Sequence, residues 1–108
     1  MLGQDIIESV RHYIGRVRAH GLPVSFVVVY GSYARGNYHN WSAIDVVVVS
    51  PAFDGEMRTE DVNTLWRVAG QTDSRIEPVA CGLRQWREDT SSAIIEIARR
   101  EGQRIQAA

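Results

Sequence analysis

Residues 24–49, VSFVVVYGSYARGNYHNWSAIDVVVV, carry the pattern that decides the fold. Val24 to Tyr30 is β-branched and apolar on both faces, as a strand covered on both sides would be. Residues 31–42 (GSYARGNYHNWS) are rich in Gly, Ser and Asn and predict a loop with room for one helical turn. Ile44 to Val49 predicts a second buried strand, ended by Ser50-Pro51. Two apolar strands joined across a polar Gly-Ser turn leave one place where chemistry can gather, the mouth of the strand pair.

Working outward, residues 5–19 place Ile6, Ile7, Val10, Tyr13, Ile14 and Val17 at three-and-four spacing, which gives a helix one apolar face. Gly21 and Pro23 stop it. A second helix is expected over 59–69, with Thr59 as its cap, Val62, Leu65, Trp66 and Ala69 inward, and Gly70 closing it. Residues 75–81 (RIEPVAC) predict a short third strand, and Pro78 places it at a sheet edge because proline cannot donate to a ladder. A last helix is expected from about Ser91 to Arg100, followed by Gly102. The order describes an α/β (α+β) fold: a small mixed β-sheet of about three strands flanked by helices.

Composition narrows the class. A chain of 108 residues has the length of one domain, 1–108, and its 44% hydrophobic and 23% charged residues are an ordinary globular balance. The net charge of −1 argues against non-specific attraction to nucleic acid or to acidic membranes. The apolar runs at 26–30 and 46–49 are too short to span a bilayer. Cys81 has no partner for an internal disulfide, and no signal-peptide pattern opens the sequence. A reducing, cytoplasmic setting is therefore expected.

Three features carry candidate chemistry. Gly31-Ser32 leaves a buried strand; a glycine there admits close approach to the backbone, and the amides of the next turn can face an anion. A plain turn would use the same residues. The spacing from Gly31 to Gly36 resembles a phosphate loop, but no Lys-Ser/Thr follows, so a Walker A reading fails. Asp45 sits one residue inside an apolar strand, where an unpaired buried carboxylate costs several kcal/mol. It needs a cation or strong donors, unless it caps the preceding loop. Residue 43 shares its face by the period of two, and an i, i+2 carboxylate pair can grip a metal from one strand. Position 43, however, is Ala. Glu77 is either a solvent-facing residue on an edge strand or, if its strand neighbours the second, the partner of Asp45.

Together, Val-Val-Val-Tyr-Gly31-Ser32-Tyr-Ala-Arg35-Gly36, then Ser42-Ala43-Ile44-Asp45, resemble the signature of the DNA polymerase β-like nucleotidyltransferases. The resemblance is to the minimal nucleotidyltransferase (MNT) group, patterned Gly-Ser-x-Ala-Arg-Gly and then Ser-Asp-Ile/Leu-Asp. Arg75-Ile76-Glu77-Pro78 looks like that group's third-carboxylate strand. The resemblance implies two Mg²⁺ ions held by carboxylates at positions 43, 45 and 77, and a nucleoside triphosphate, ATP, held at Gly31, Ser32, Arg35 and Gly36. Arg35 could equally form a structural salt bridge inside the turn. It further implies AMP transfer, with the chain acting as antitoxin to a HEPN-type helical toxin, in some such pairs through AMP placed on a toxin tyrosine. Ala43 departs from the pattern where the first Asp belongs, which predicts impaired catalysis, whether the change is natural or engineered. A binding module that neutralises its partner by occlusion is the rival reading, and a small-molecule nucleotidyltransferase is a third.

Other residues read more quietly. His12, His20 and His39 are too scattered for a zinc site. His39 and Trp41 lie in the loop between motif parts, where contact with a nucleotide base or no role at all are both open. Trp66 is expected in the core, and Trp86 has no reading. Arg99-Arg100 suit the negative pole of the last helix.

Overall fold

In a computed structural model, residues 2–106 are described. Helix α1 spans Gln4–Ala19 and buries Ile6, Val10, Tyr13, Ile14 and Val17, the predicted apolar stripe with Ile7 half-buried at its side. Strand β1 is Phe26–Tyr30, helix α2 Ser32–Arg35, strand β2 Ile44–Ser50 and helix α3 Thr59–Thr72. Strand β3 is Ile76–Gly82, α4 Leu83–Glu88, α5 Ala93–Glu101 and β4 Gln103–Ile105. The sheet order is β3-β2-β1-β4, with β1 antiparallel to both β2 and β4 and β2 parallel to β3.

The sheet is mixed, as expected, but has four strands rather than three. Strand β4 escapes pattern reading because it offers only Gln103-Arg104-Ile105, with Ile105 alone buried, too short to display a period of two. It closes the open edge of β1, and the predicted edge strand β3, with Pro78, does lie at the other edge. Helix α4 is likewise unannounced: its six residues bury none of their side chains fully.

The alternation of the strands builds a core on each face. Val27, Val29, Ile44, Val46, Val48 and Ile76 join the inward stripes of α1 and α3. Tyr13, buried between those helices, donates its hydroxyl hydrogen bond to the Leu65 carbonyl at 3.0 Å. The opposite faces of the same strands, Phe26, Val28, Val47, Val49 and Cys81, pack against Ile95 and Ala98 of α5. Trp86 of α4 meets Phe26 edge-on at 5.7 Å, which gives that residue a packing role.

Helix α3 corrects three expectations. Its N-cap is Arg58 rather than Thr59, which is already its first residue; Glu60 and Asp61 supply first-turn negative charge instead of a capping hydroxyl. Gly70 does not close it: its φ is not positive, so it takes no left-handed capping conformation, and the helix runs to Thr72. Trp66 is 49% exposed, since Leu65, Val68 and Ala69 occupy the inward arc and leave residue 66 on its shoulder. Gly70 is exposed in the last turn of α3, with open space where a Cβ would stand. Gly70→Ala is therefore expected to stabilise the fold by about 0.5–1 kcal/mol, read as a higher urea midpoint at unchanged slope. The last helix starts later than expected, at Ala93, because Ser92 serves as its N-cap, accepting from the Ile95 amide.

Among the described residues, no helix is long and apolar enough to cross a membrane.

Candidate active site

The parallel β2–β3 register sets Asp45 directly beside Glu77, and the antiparallel β1–β2 register sets Tyr30 on the other side of Asp45. A phenol and two carboxylates thus form a row across three strands, on the sheet face shared with Val47 and Val79. Glu77 is exposed, as an edge-strand residue would be, yet it also faces Asp45. Asp45 is only partly exposed. Burial, then the nearby Glu77 charge, raise the Asp45 pKa above the usual carboxylate value, with Arg35 opposing them. The Tyr30 phenol is raised too, by burial and then by Asp45 and Glu77. Negative charge is thus concentrated at the strand mouth and only partly compensated.

Gly31 is fixed by geometry. Its backbone lies at φ 75° and ψ −151°, a region open to almost no other residue. A Cβ added there would run into the Asp45 carboxylate. Helix α2 starts at once from this glycine: the Arg35 amide donates to the Gly31 carbonyl at 3.0 Å, and the Gly36 amide to the Ser32 carbonyl at 2.9 Å. Gly36 ends the turn in the left-handed region, at φ 81°. The first-turn amides of α2, which starts beside Asp45, have no carbonyl behind them within the helix. Arg35 pairs with Glu101 at the end of α5, 3.5 Å away, so its salt bridge reaches outside the turn rather than staying within it. Such half-exposed pairs contribute at most about 1 kcal/mol and yield readily to a better anion.

Ala43 lies just ahead of β2. It lines a cleft of about 540 Å³ together with Trp41, Trp66, Arg75 and Glu77. Among the described residues, no three His, Cys, Asp or Glu side chains gather as a metal-binding group. A carboxylate at 43 would lie on the face of Asp45, two residues along. His39 anchors the loop: its amide donates to Ser42 Oγ, and its Nδ1 accepts from the Trp41 amide. The neighbouring cavity, about 300 Å³ behind that loop and lined by the stacked Tyr33 and Tyr38, contains neither Asp45 nor Glu77.

A profile of the family described as Nucleotidyltransferase domain matches residues 10–105. The chain belongs to this family. The nucleotidyltransferase architecture also recurs in solved structures. A toxin–antitoxin complex with AMP-PNP superposes at a TM-score of 0.60, with 19% identity over 91% of this chain and 73% of that one. A mutant toxin–antitoxin MntA–HpeT complex gives 0.58 at 17% identity, covering 91% and 73%. A Sulfolobus solfataricus protein classed provisionally as a nucleotidyltransferase gives 0.57 at 20% identity, covering 73% and 68%. No curated protein sequence matches the chain significantly.

Within this nucleotidyltransferase domain, Tyr30 and Glu101 were not foreseen as site residues. Tyr30 reads as the last apolar residue of its strand, although the parity that pairs it with Asp45 was open to inspection. Glu101 reaches Arg35 only through the return of α5 towards β4. Arg99 is structural: it donates to the Gln85 and Trp86 carbonyls and lies over the Trp86 ring, tying α4 to α5.

The approach to Glu77 is held by Asp73, which accepts from Arg75 twice through the guanidinium, once from its backbone amide, and from Ser9. The Arg75 hydrogen bonds, foremost, hold the Asp73 carboxyl down to about 2. A depressed carboxyl pKa stabilises the fold fully above the unfolded value of about 4, and that contribution is lost as pH falls. Urea midpoints measured between about pH 5 and pH 2 should therefore fall less steeply in Asp73→Asn than in the parent chain.

Proposed function

We propose that this chain is an antitoxin of the MNT type, built on an ATP- and Mg²⁺-using site and directed at a HEPN-type toxin. The observation that carries the proposal is the register that lays Asp45 beside Glu77 under the Gly31-Ser32 turn. Two hard oxygen donors, one of them partly buried with its charge disfavoured, suit a small divalent cation. Asp45 and Glu77 would hold Mg²⁺, with water and substrate phosphate oxygens completing the shell. When bound, the cation supplies charge neutralisation at the α-phosphorus and a lower pKa for the attacking hydroxyl.

The chain's own residues supply the rest. The α2 amides and the Ser32 hydroxyl bind the triphosphate tail, and Arg35 turns from Glu101 to the phosphates. The acceptor oxygen bonds to the α-phosphorus, the bond to the bridging oxygen breaks, and pyrophosphate leaves with that electron pair. The acceptor proton passes to Glu77 and then to water. Ala43 removes the carboxylate expected two residues before Asp45, so transfer is slow in this chain.

The second reading, neutralisation by occlusion, is favoured by Ala43 itself. Co-expression with the adjacent reading frame and intact-mass measurement of the co-purified partner separates the two. Added mass in steps of one AMP supports transfer, and a tight but unmodified complex supports occlusion. A lone buried Cys81 accords with a reducing cytoplasm as the setting.

A further inference from the structure

Arg35 is held by a contact unlike the other ion pairs of the fold. Among the described residues, three pairs join neighbours two to four residues apart, and Arg75–Asp73 and Arg99–Glu96 close to 2.7 Å and 2.6 Å. Arg35–Glu101 instead ties the end of α2 to the end of α5, at 3.5 Å, with both side chains partly exposed. An ion pair that long and that wet is weak. The same guanidinium lies near enough to Asp45 to ease its charge, so it stands between the strand mouth and α5.

Each end of the contact is mounted without help from it. The Arg35 backbone is set by the α2 turn, through its amide bond to the Gly31 carbonyl and the left-handed Gly36 that follows. Glu101 is set by Gly102, whose amide donates to the Ala98 carbonyl at 2.9 Å. A Cβ at Gly102 would meet the Val28 side chain and the Val29 carbonyl, so the end of α5 is seated on β1 just ahead of Gly31. What can move is the guanidinium, on its flexible stem.

Glu101 is therefore a built-in rival of a phosphate tail. Phosphate oxygens take a guanidinium in a bidentate, charge-assisted geometry that a 3.5 Å contact does not reach. A polyphosphate tail wins Arg35, but only after displacing Glu101, and a nucleoside monophosphate brings no tail to win with. When pyrophosphate leaves, Glu101 takes Arg35 back. We infer that Glu101 is a positioning residue that competes with the β- and γ-phosphates for Arg35 and loosens the hold on nucleoside triphosphate and pyrophosphate alike. This rests on the nucleotide reading of the site and deepens it.

Calorimetric titration of the full chain with ATP, inorganic pyrophosphate or AMP, each with Mg²⁺, tests the competition. Glu101→Gln keeps the side chain's size and removes its charge. It should tighten ATP and pyrophosphate about three- to fivefold and change AMP less than about twofold. Two comparisons separate displacement from a general gain in positive field. Glu96→Gln removes the same charge from the same helix, where the carboxylate holds Arg99. It should leave all three affinities within about twofold, because an exposed charge acting only at long range is screened. In an Arg35→Ala background, Glu101→Gln should have no effect. Unchanged ATP affinity in Glu101→Gln, an equal gain for AMP, or a gain that survives Arg35→Ala overturns the competition and leaves the nucleotide site standing. Absence of Mg·ATP binding to parent and variants alike strikes the nucleotide site itself, and the competition with it.

Discussion

Ala43→Asp is expected to raise AMP transfer by at least about 10–100-fold, the loss seen when even an outer-shell metal partner is removed. The cleft of about 540 Å³ that residue 43 lines leaves room for the larger side chain. The new carboxylate would fall on the Asp45 face, where burial and Glu77 already disfavour charge. Without a divalent cation the variant should therefore melt lower than the parent, and added Mg²⁺ should raise its midpoint more than the parent's. Radiolabelled ATP with the co-expressed partner measures the first effect and a thermal shift with and without Mg²⁺ the second. No gain in transfer would sink the catalytic reading and leave occlusion.

Gly31→Ala should be the most damaging single methyl in the molecule. The backbone at φ 75°, ψ −151° costs a non-glycine residue about 1–3 kcal/mol, before its Cβ meets the Asp45 carboxylate. To relieve that collision either β1 or Asp45 must move, and both belong to the candidate site. The expected result is a melting temperature lower by roughly 4–8 °C per kcal/mol lost, together with loss of Mg·ATP binding. Gly21→Ala is the matched control. It too has positive φ, but open space surrounds its Cβ, so strain alone is introduced and Asp45 stays in place. Equal loss of nucleotide binding in both variants would refute a specific Gly31–Asp45 approach.

Much of this was legible because alternation and apolar runs report strands directly. Phe26–Tyr30 and Ile44–Ser50 are apolar on both faces, and both are covered on both faces. The pairing of Asp45 with Glu77 could be posed from sequence but not decided, because it depends on β2 and β3 being neighbours in one register. Trp66 misled because helical spacing predicts an arc, and a shoulder residue one position from Leu65 can fall either side of its edge. Strand β4 and the Arg35–Glu101 contact depend on where α5 brings the chain back, which no local pattern states. Gly70 misled because a glycine ends a helix by turning left-handed, and this one keeps a negative φ.

Position 43 lies one residue ahead of the β2–β3 ladder, whose first pair is Ile44 with Ile76, and it remains partly exposed. The free energy of folding registers what stands there chiefly through charge, since a carboxylate is disfavoured on the face that Asp45 and Glu77 share until a cation offsets it. An exchange of Asp for Ala leaves the backbone ladder as it is and removes that repulsion. In this architecture a single side chain ahead of the ladder sets the charge at the strand mouth without touching the strands that build it.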